Sequence, residues 1–235
     1  MMRFFVLMLG GVFGGLFPNF AAPFPEHFSA TYTVTARNMT IGQAKWSLMP
    51  MGEGSYRYDA VTFPRGVLAL LHKSRRAEHS EWRYQGERIR PLLYRYHRGG
   101  KKGRRVEVVF DWGRGVVRNT AKGKTWQMPV PPDTLDKNVY VLALMRDLGK
   151  GLRNFEYAIA DGGRIKTYRF SFVGEESLDT ALGPVETLLI ERIRETLARE
   201  TTFWCAPKFD YLPVKVVHRE KDDTTITLRI DGFSE

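Results

Sequence analysis

Cysteine is almost absent: Cys205 is the only one in 235 residues. No disulfide can close within the chain, so the fold must rest on its core alone. The surrounding Phe203-Trp204-Cys205-Ala206-Pro207 opens like a thioredoxin redox loop, but Lys208 stands where the second cysteine belongs. The remaining chain reads as two strands, Leu212–Arg219 and Thr224–Ile230, with no room for a βαβ unit. Cys205 is therefore read as a small buried thiol.

Other absences narrow the chemistry. Lys122-Gly123-Lys124-Thr125 is half a phosphate loop, with Arg118 at the first glycine position and a proline-bearing segment in place of the helix. The backbone cradle and helix dipole that hold phosphate are both missing. His27, His72, His79, His97 and His218 include no pair at metal-ligand spacing, and no Gly-x-Ser-x-Gly elbow exists. No metal or cofactor is expected. The longest apolar run, Phe4–Phe17, is shorter than the roughly 20 residues of a membrane helix. It follows the basic start Met1-Met2-Arg3 and precedes Ala21-Ala22, the pattern of an export signal. The expectation is a signal peptide over 1–22, cleaved to leave one periplasmic domain, 23–235. An uncleaved anchor is the alternative, with Gly10, Gly11, Gly14 and Gly15 suited to helix pairing.

Acidic residues are also scarce, 26 against 36 Lys and Arg, giving a net charge of +10. The excess is concentrated between Lys73 and Arg105, in Arg75, Arg76, Arg95, Arg98, Lys101, Lys102, Arg104 and Arg105 among others. Such a stripe suits an anionic partner such as lipid, lipopolysaccharide or cell-wall polymer, or it is simply a solvated face. Nucleic acid is not expected outside the cytosol.

What the sequence has in quantity is alternation. Tyr32-x-Val34, Ala44-x-Trp46-x-Leu48, Tyr56-x-Tyr58, Val106-x-Val108-x-Phe110, Tyr168-x-Phe170-x-Phe172 and Ile226-x-Leu228-x-Ile230 all keep period two. Aromatic and β-branched residues at that period make strands with one buried face. Gly52-Glu53-Gly54, Gly99-Gly100 and Asp161-Gly162-Gly163 supply hairpin turns.

Two stretches break the rhythm. Gly66–Lys73 reads as a short helix or lid-like loop. Val139–Met145 is uncharged without alternation, preceded by Asp133 or Thr134 as helix cap and followed by Gly149 as stop. A helix so apolar must be covered on nearly all sides. The expected architecture is mainly β: a single domain of antiparallel hairpins forming a curved sheet or partly open barrel wrapped around one central helix.

Candidate site residues follow from this frame. An inner aromatic face (Trp46, Tyr56, Tyr58, Phe110, Tyr168, Phe170, Phe172) either encloses a ligand or packs on the helix. Asp111 and His97 could meet across a hairpin as an acid–base pair, and Asp136 is a second carboxylate candidate. Their ordinary uses are to bond turn amides and to sit favourably at a helix start.

Val109–Val117, Pro129–Asp136, Asp161–Glu176, Leu182–Arg194 and Phe203–Asp222 together resemble a bacterial exported family known as domain of unknown function 3108. The resemblance spans roughly 28–231 and implies a mostly β envelope protein without an assigned reaction. The family's helix opens Asp-x-Leu-Ser; here it reads Asp136-Lys137-Asn138-Val139. The leading expectation is a non-enzymatic periplasmic protein that binds an amphipathic or anionic envelope molecule. The rivals are a cell-wall hydrolase using Asp111, Asp136 or His97, and a scaffold that docks another envelope protein.

Overall fold

The computed structural model describes residues 25–65, 75–100, 103–193, 200–220 and 222–235. The export-signal segment, Gly66–Lys73, Lys101 and Lys102 lie outside these residues. Among the described residues no helix is long and apolar enough to cross a membrane.

Alternation becomes strand wherever it was read. A first meander comprises β1 (Phe28–Ala36), β2 (Met39–Gly52), β3 (Ser55–Pro64), β4 (Arg76–Gln85), β5 (Arg88–Arg98), β6 (Arg104–Asp111), β7 (Val116–Ala121) and β8 (Lys124–Pro129). A second comprises β9 (Asn154–Asp161), β10 (Arg164–Thr180), β11 (Gly183–Ile193), β12 (Glu200–Ala206), β13 (Leu212–Arg219) and β14 (Thr225–Ser234). β1 pairs with β14, so both meanders fuse into one 14-stranded antiparallel sheet with β8 and β9 as its edges. The sheet is not closed by a ladder.

Between the edges the chain forms α1 (Tyr140–Gly149), which lies inside the curved sheet. Val141, Leu142, Ala143, Leu144, Met145 and Leu148 are all buried, against Tyr32, Tyr58, Ile159, Phe170 and Phe203 among others. Its C-terminal end is fixed by Arg146 Nη1 donating to the Glu87 carbonyl and by Gly149 against the Tyr211 ring. Lys150 caps the helix and Gly151, at φ 82°, turns the chain away.

The helix begins later than Asp133 or Thr134, which corrects the capping expectation. Asp133 sits at φ 64°, Thr134 Oγ1 donates back to the Pro131 carbonyl, and Leu135 bridges in parallel to Ile159 on β9. Two prolines, the left-handed turn at Asp133 and that bridge keep 131–135 out of helix, so helix can start only after the chain leaves the β9 edge. Asp136 closes the turn that leads into α1: its Oδ1 accepts from the amides of Asn138 and Val139 at 2.7 and 2.9 Å.

The sheet overlaps itself. Tyr94, Val108, Phe110 and Val117, on the inner face of β5–β7, form a second core with Val130 and Ala160, and Ile165 packs against it. Ala160 and Ile165 are register partners one residue away from inward-facing Ile159 and, on β10, opposite in phase to Tyr168. They therefore face outward, and β5–β8 wraps over the outside of the β9–β10 edge. Gly163, at φ +77°, has the Trp126 indole of β8 where a Cβ would stand.

Leu144→Ala should cost about 3 kcal/mol in urea unfolding, as expected for a fully enclosed leucine. Gly163→Ala should cost about 2 kcal/mol, because it combines a positive φ with displacement of Trp126. An unchanged unfolding midpoint in either variant would contradict the packing described.

Candidate functional site

α1 does not fill the barrel. Above its N-terminal end lies an open cavity of about 1000 Å³, with Tyr140 and Val141 in its floor. Strand register divides its wall into two levels. Phe203 lies opposite Val216, and Val216 opposite Leu228, so these three form an apolar band that Trp46 extends. One inward step nearer the rim, Thr201 lies opposite His218 and His218 opposite Ile226. Arg192 is two residues beyond inward-facing Ile190 and opposite Phe170, which brings it to this polar level. Lys137, Lys166, Asp161 and Arg76 complete it, and the cavity spills over a lip made by Arg169 and Ile193.

The polar level is preorganised. The Arg192 guanidinium stacks over the Tyr168 ring, 3.2 Å from its centroid, and its buried Nε has no hydrogen-bond partner. His218 Nδ1 is 2.8 Å from Thr201 Oγ1, and its Nε2 is 3.4 Å from Glu220. Lys166 and Lys137 both reach Asp161, at 2.7 and 3.2 Å. Burial would raise the Asp161 carboxyl, but the two ammonium groups outweigh it and hold it below the ordinary range. One carboxylate thus orients two cations without neutralising both.

Behind this wall runs a buried polar seam between the two cores. Asp136 is fully enclosed; Ser80 Oγ donates to its Oδ1 at 3.0 Å, and its Oδ2 has no partner. Asn138 Nδ2 donates to the Tyr58 carbonyl, tying the start of α1 to β3. Tyr94 Oη and Arg76 both donate to Glu78, and Glu78 in turn opposes ionisation of Asp136. Burial is the main cause that pushes the Asp136 carboxyl up to about 7, against the three hydrogen bonds it accepts.

The catalytic candidates are not brought together. His97 lies opposite Arg105 near the open end, whereas Asp111 closes β6 at the other end and accepts from the Arg114 amide at 3.0 Å. The His97–Asp111 pairing across a hairpin is thereby corrected: the β5–β6 register separates them along the strands. Asp136 is sealed from both. Cys205 is fully enclosed and burial pushes its thiol well up, so it offers no thiolate. Among the described residues, no three His, Cys, Asp or Glu side chains gather as they would around a metal ion.

Of the seven aromatic candidates, Trp46 and Tyr168 line the cavity. Tyr58 and Phe170 are enclosed in the main core, with Tyr56 and Phe172 packed at its margin. Phe110 belongs to the second core, under Trp112. The basic stripe also divides. Arg76 turns into the cavity beside Glu78, and Arg95 pairs outward with Glu107 at 2.8 Å. Arg75, Arg98, Arg104 and Arg105 gather at the strand ends around the open end.

Sequence reading passed over Arg192, Thr201 and His218. The usable signal was phase: Arg192 continues the inward series of Ile190, and His218 that of Val214 and Val216. A charged residue in the apolar phase of a strand is costly unless it lines a cavity.

The matching family model, described as a protein of unknown function (DUF3108), covers residues 31–231. The chain belongs to the DUF3108 family. No curated protein matches it. Among solved structures it is similar to a beta-barrel-like protein of domain of unknown function DUF1849 from Brucella abortus. That likeness has a TM-score of 0.60 at 8% identity and covers 88% of this chain and 97% of that one. At such identity the likeness is one of fold, and the DUF3108 chain's site must be argued from its own side chains.

The seam gives a signed pH dependence. Asp136 keeps its proton to about pH 7 when folded but to about pH 4 when unfolded, so the folded state binds more protons in between. Stability contributed by this group is full below pH 4 and falls as pH rises to 7, by on the order of 4 kcal/mol. Asp136→Asn keeps the Oδ1 acceptor and should flatten that slope in urea titrations. A slope unaltered by the substitution would contradict the assignment.

Proposed function

We propose that this DUF3108 chain is a non-enzymatic binding protein for an amphiphilic anion, held with its apolar part against Phe203, Val216 and Leu228 and its head group at Arg192. The observation that carries the reading is the layering of one cavity: hydrocarbon beside the α1 N-terminal end, cations at the rim. Apolar walls with a few placed polar groups are the usual make-up of small-molecule sites, and about 1000 Å³ is at the upper end of their range. The stacked Arg192, whose Nε has no partner, suits a carboxylate, phosphate or sulfonate oxygen. The signal-like N-terminal segment supports a periplasmic setting, where such amphiphiles are membrane constituents. The hydrolase reading finds no converging acid–base pair in its support, since Asp111, Asp136 and His97 are apart.

The test is titration with anilinonaphthalene sulfonate, an aromatic with one anionic group, followed by displacement with palmitate. One saturable site is expected, with palmitate competing. Arg192→Ala should weaken dye binding about tenfold, as for loss of one charge-assisted contact. Phe203→Asp should abolish it, with folding checked by circular dichroism. Binding that ignores both substitutions would refute the cavity as the site.

A further inference from the structure

We propose that the open end of the barrel docks on an anionic lipid bilayer, presenting the cavity mouth to the membrane surface. The strand directions place the β1–β2, β3–β4, β5–β6, β7–β8, β9–β10, β11–β12 and β13–β14 connections at this one end. On one side of the mouth each successive connection carries exposed cations: Arg65 and Arg75, then Arg98 and Arg104, then Lys122 and Lys124. Among the described residues the acids at this end lie away from that side: Glu220, Asp222 and Asp223 on the β13–β14 connection, Glu200 beside it against Arg219, and Asp161 held by Lys137 and Lys166. The cations thus form a crescent with one orientation.

The opposite end has a different character. Three of its cations are matched to acids there, Arg88 with Asp133, Arg114 with Asp111 and Lys150 with Glu87, while Arg153 and Lys208 lie over the Phe172 and Phe209 rings. A bilayer attracts the crescent because its field acts on basic residues within a Debye length of the head groups. Apolar side chains are exposed at the same end: Phe63 lies under the Arg75 guanidinium at 5.5 Å, Met39 is 63% exposed, and Ile193 is 54% exposed on the cavity lip. An aromatic and aliphatic fringe beside cations suits an interface of head groups over hydrocarbon, whereas a polyphosphate strand would use the charge alone. Met51 and Leu152 are exposed at the far end, but beside Glu53 and the matched ion pairs.

This surface stands apart from the cavity reading, since an empty cavity would leave the crescent in place. The experiment is flotation of the purified chain with vesicles of phosphatidylglycerol and of phosphatidylcholine. Two double variants each lower the charge equally: Arg104→Glu with Lys124→Glu at the mouth, and Arg153→Glu with Lys208→Glu at the far end. The wild type should bind phosphatidylglycerol vesicles, weaken as salt rises, and leave phosphatidylcholine unbound. The mouth variant should bind at least about tenfold more weakly, and the far-end variant within about twofold of wild type. Phe63→Ser should weaken binding and leave its salt dependence unchanged.

Circular dichroism confirms folding, and sulfonate-dye binding in solution reports the cavity separately. A mouth variant that keeps dye binding but loses vesicles establishes the surface. Equal losses in both double variants would reduce the effect to net charge and overturn the proposal. So would absence of vesicle binding by the wild type, or an oligonucleotide binding more tightly than the lipid.

Discussion

Everything in this fold depends on where α1 stops. A mostly apolar helix buries most of its circumference in a β sheet, and such apolar burial is the main favourable contribution available to a chain without disulfides. The helix would continue to the mouth if nothing halted it. Asp136 halts it, by spending its Oδ1 on the amides of Asn138 and Val139 and on Ser80. The cavity is the volume that the helix therefore leaves unfilled.

The overlap of the sheet explains how the halt is held. Residues 131–135 cannot coil, because Leu135 is bridged to β9 and Asp133 is in the left-handed region. β5–β8 closes over the outside of β9–β10, so Thr134, Leu135 and Asp136 lie buried between two cores while Pro131–Asp133 stay exposed. A carboxylate buried at such a seam is expensive, and its raised pKa is the measure of that cost. The Leu135 bridge also occupies the β9 edge, which limits strand-to-strand association there with other chains.

Much of this was legible from residue order. Period-two alternation in Ala44-x-Trp46-x-Leu48 or Tyr168-x-Phe170 needs only a sheet to satisfy it, so strands and turns were readable. Val139–Met145 fits no strand, so a buried helix was readable too. The helix start was not, because Asp133, Thr134 and Asp136 are equally good caps locally and a long-range bridge at Leu135 chooses between them. The cavity was invisible for a related reason. Thr201, His218 and Arg192 become one level only through cross-strand register, which pairs residues far apart in the chain. The aromatic residues proposed for a ligand were inward-facing as read, yet inward positions mostly meet α1 or the second core.

The layered cavity is tested most directly by diffraction from crystals grown with a fatty acid brominated at its methyl end. The account expects an anomalous bromine peak beside Phe203, Val216 and Leu228, with the carboxylate within hydrogen-bond reach of Arg192. Bromine on the outer sheet face, or a carboxylate buried at the α1 end with the methyl end at the rim, would contradict it.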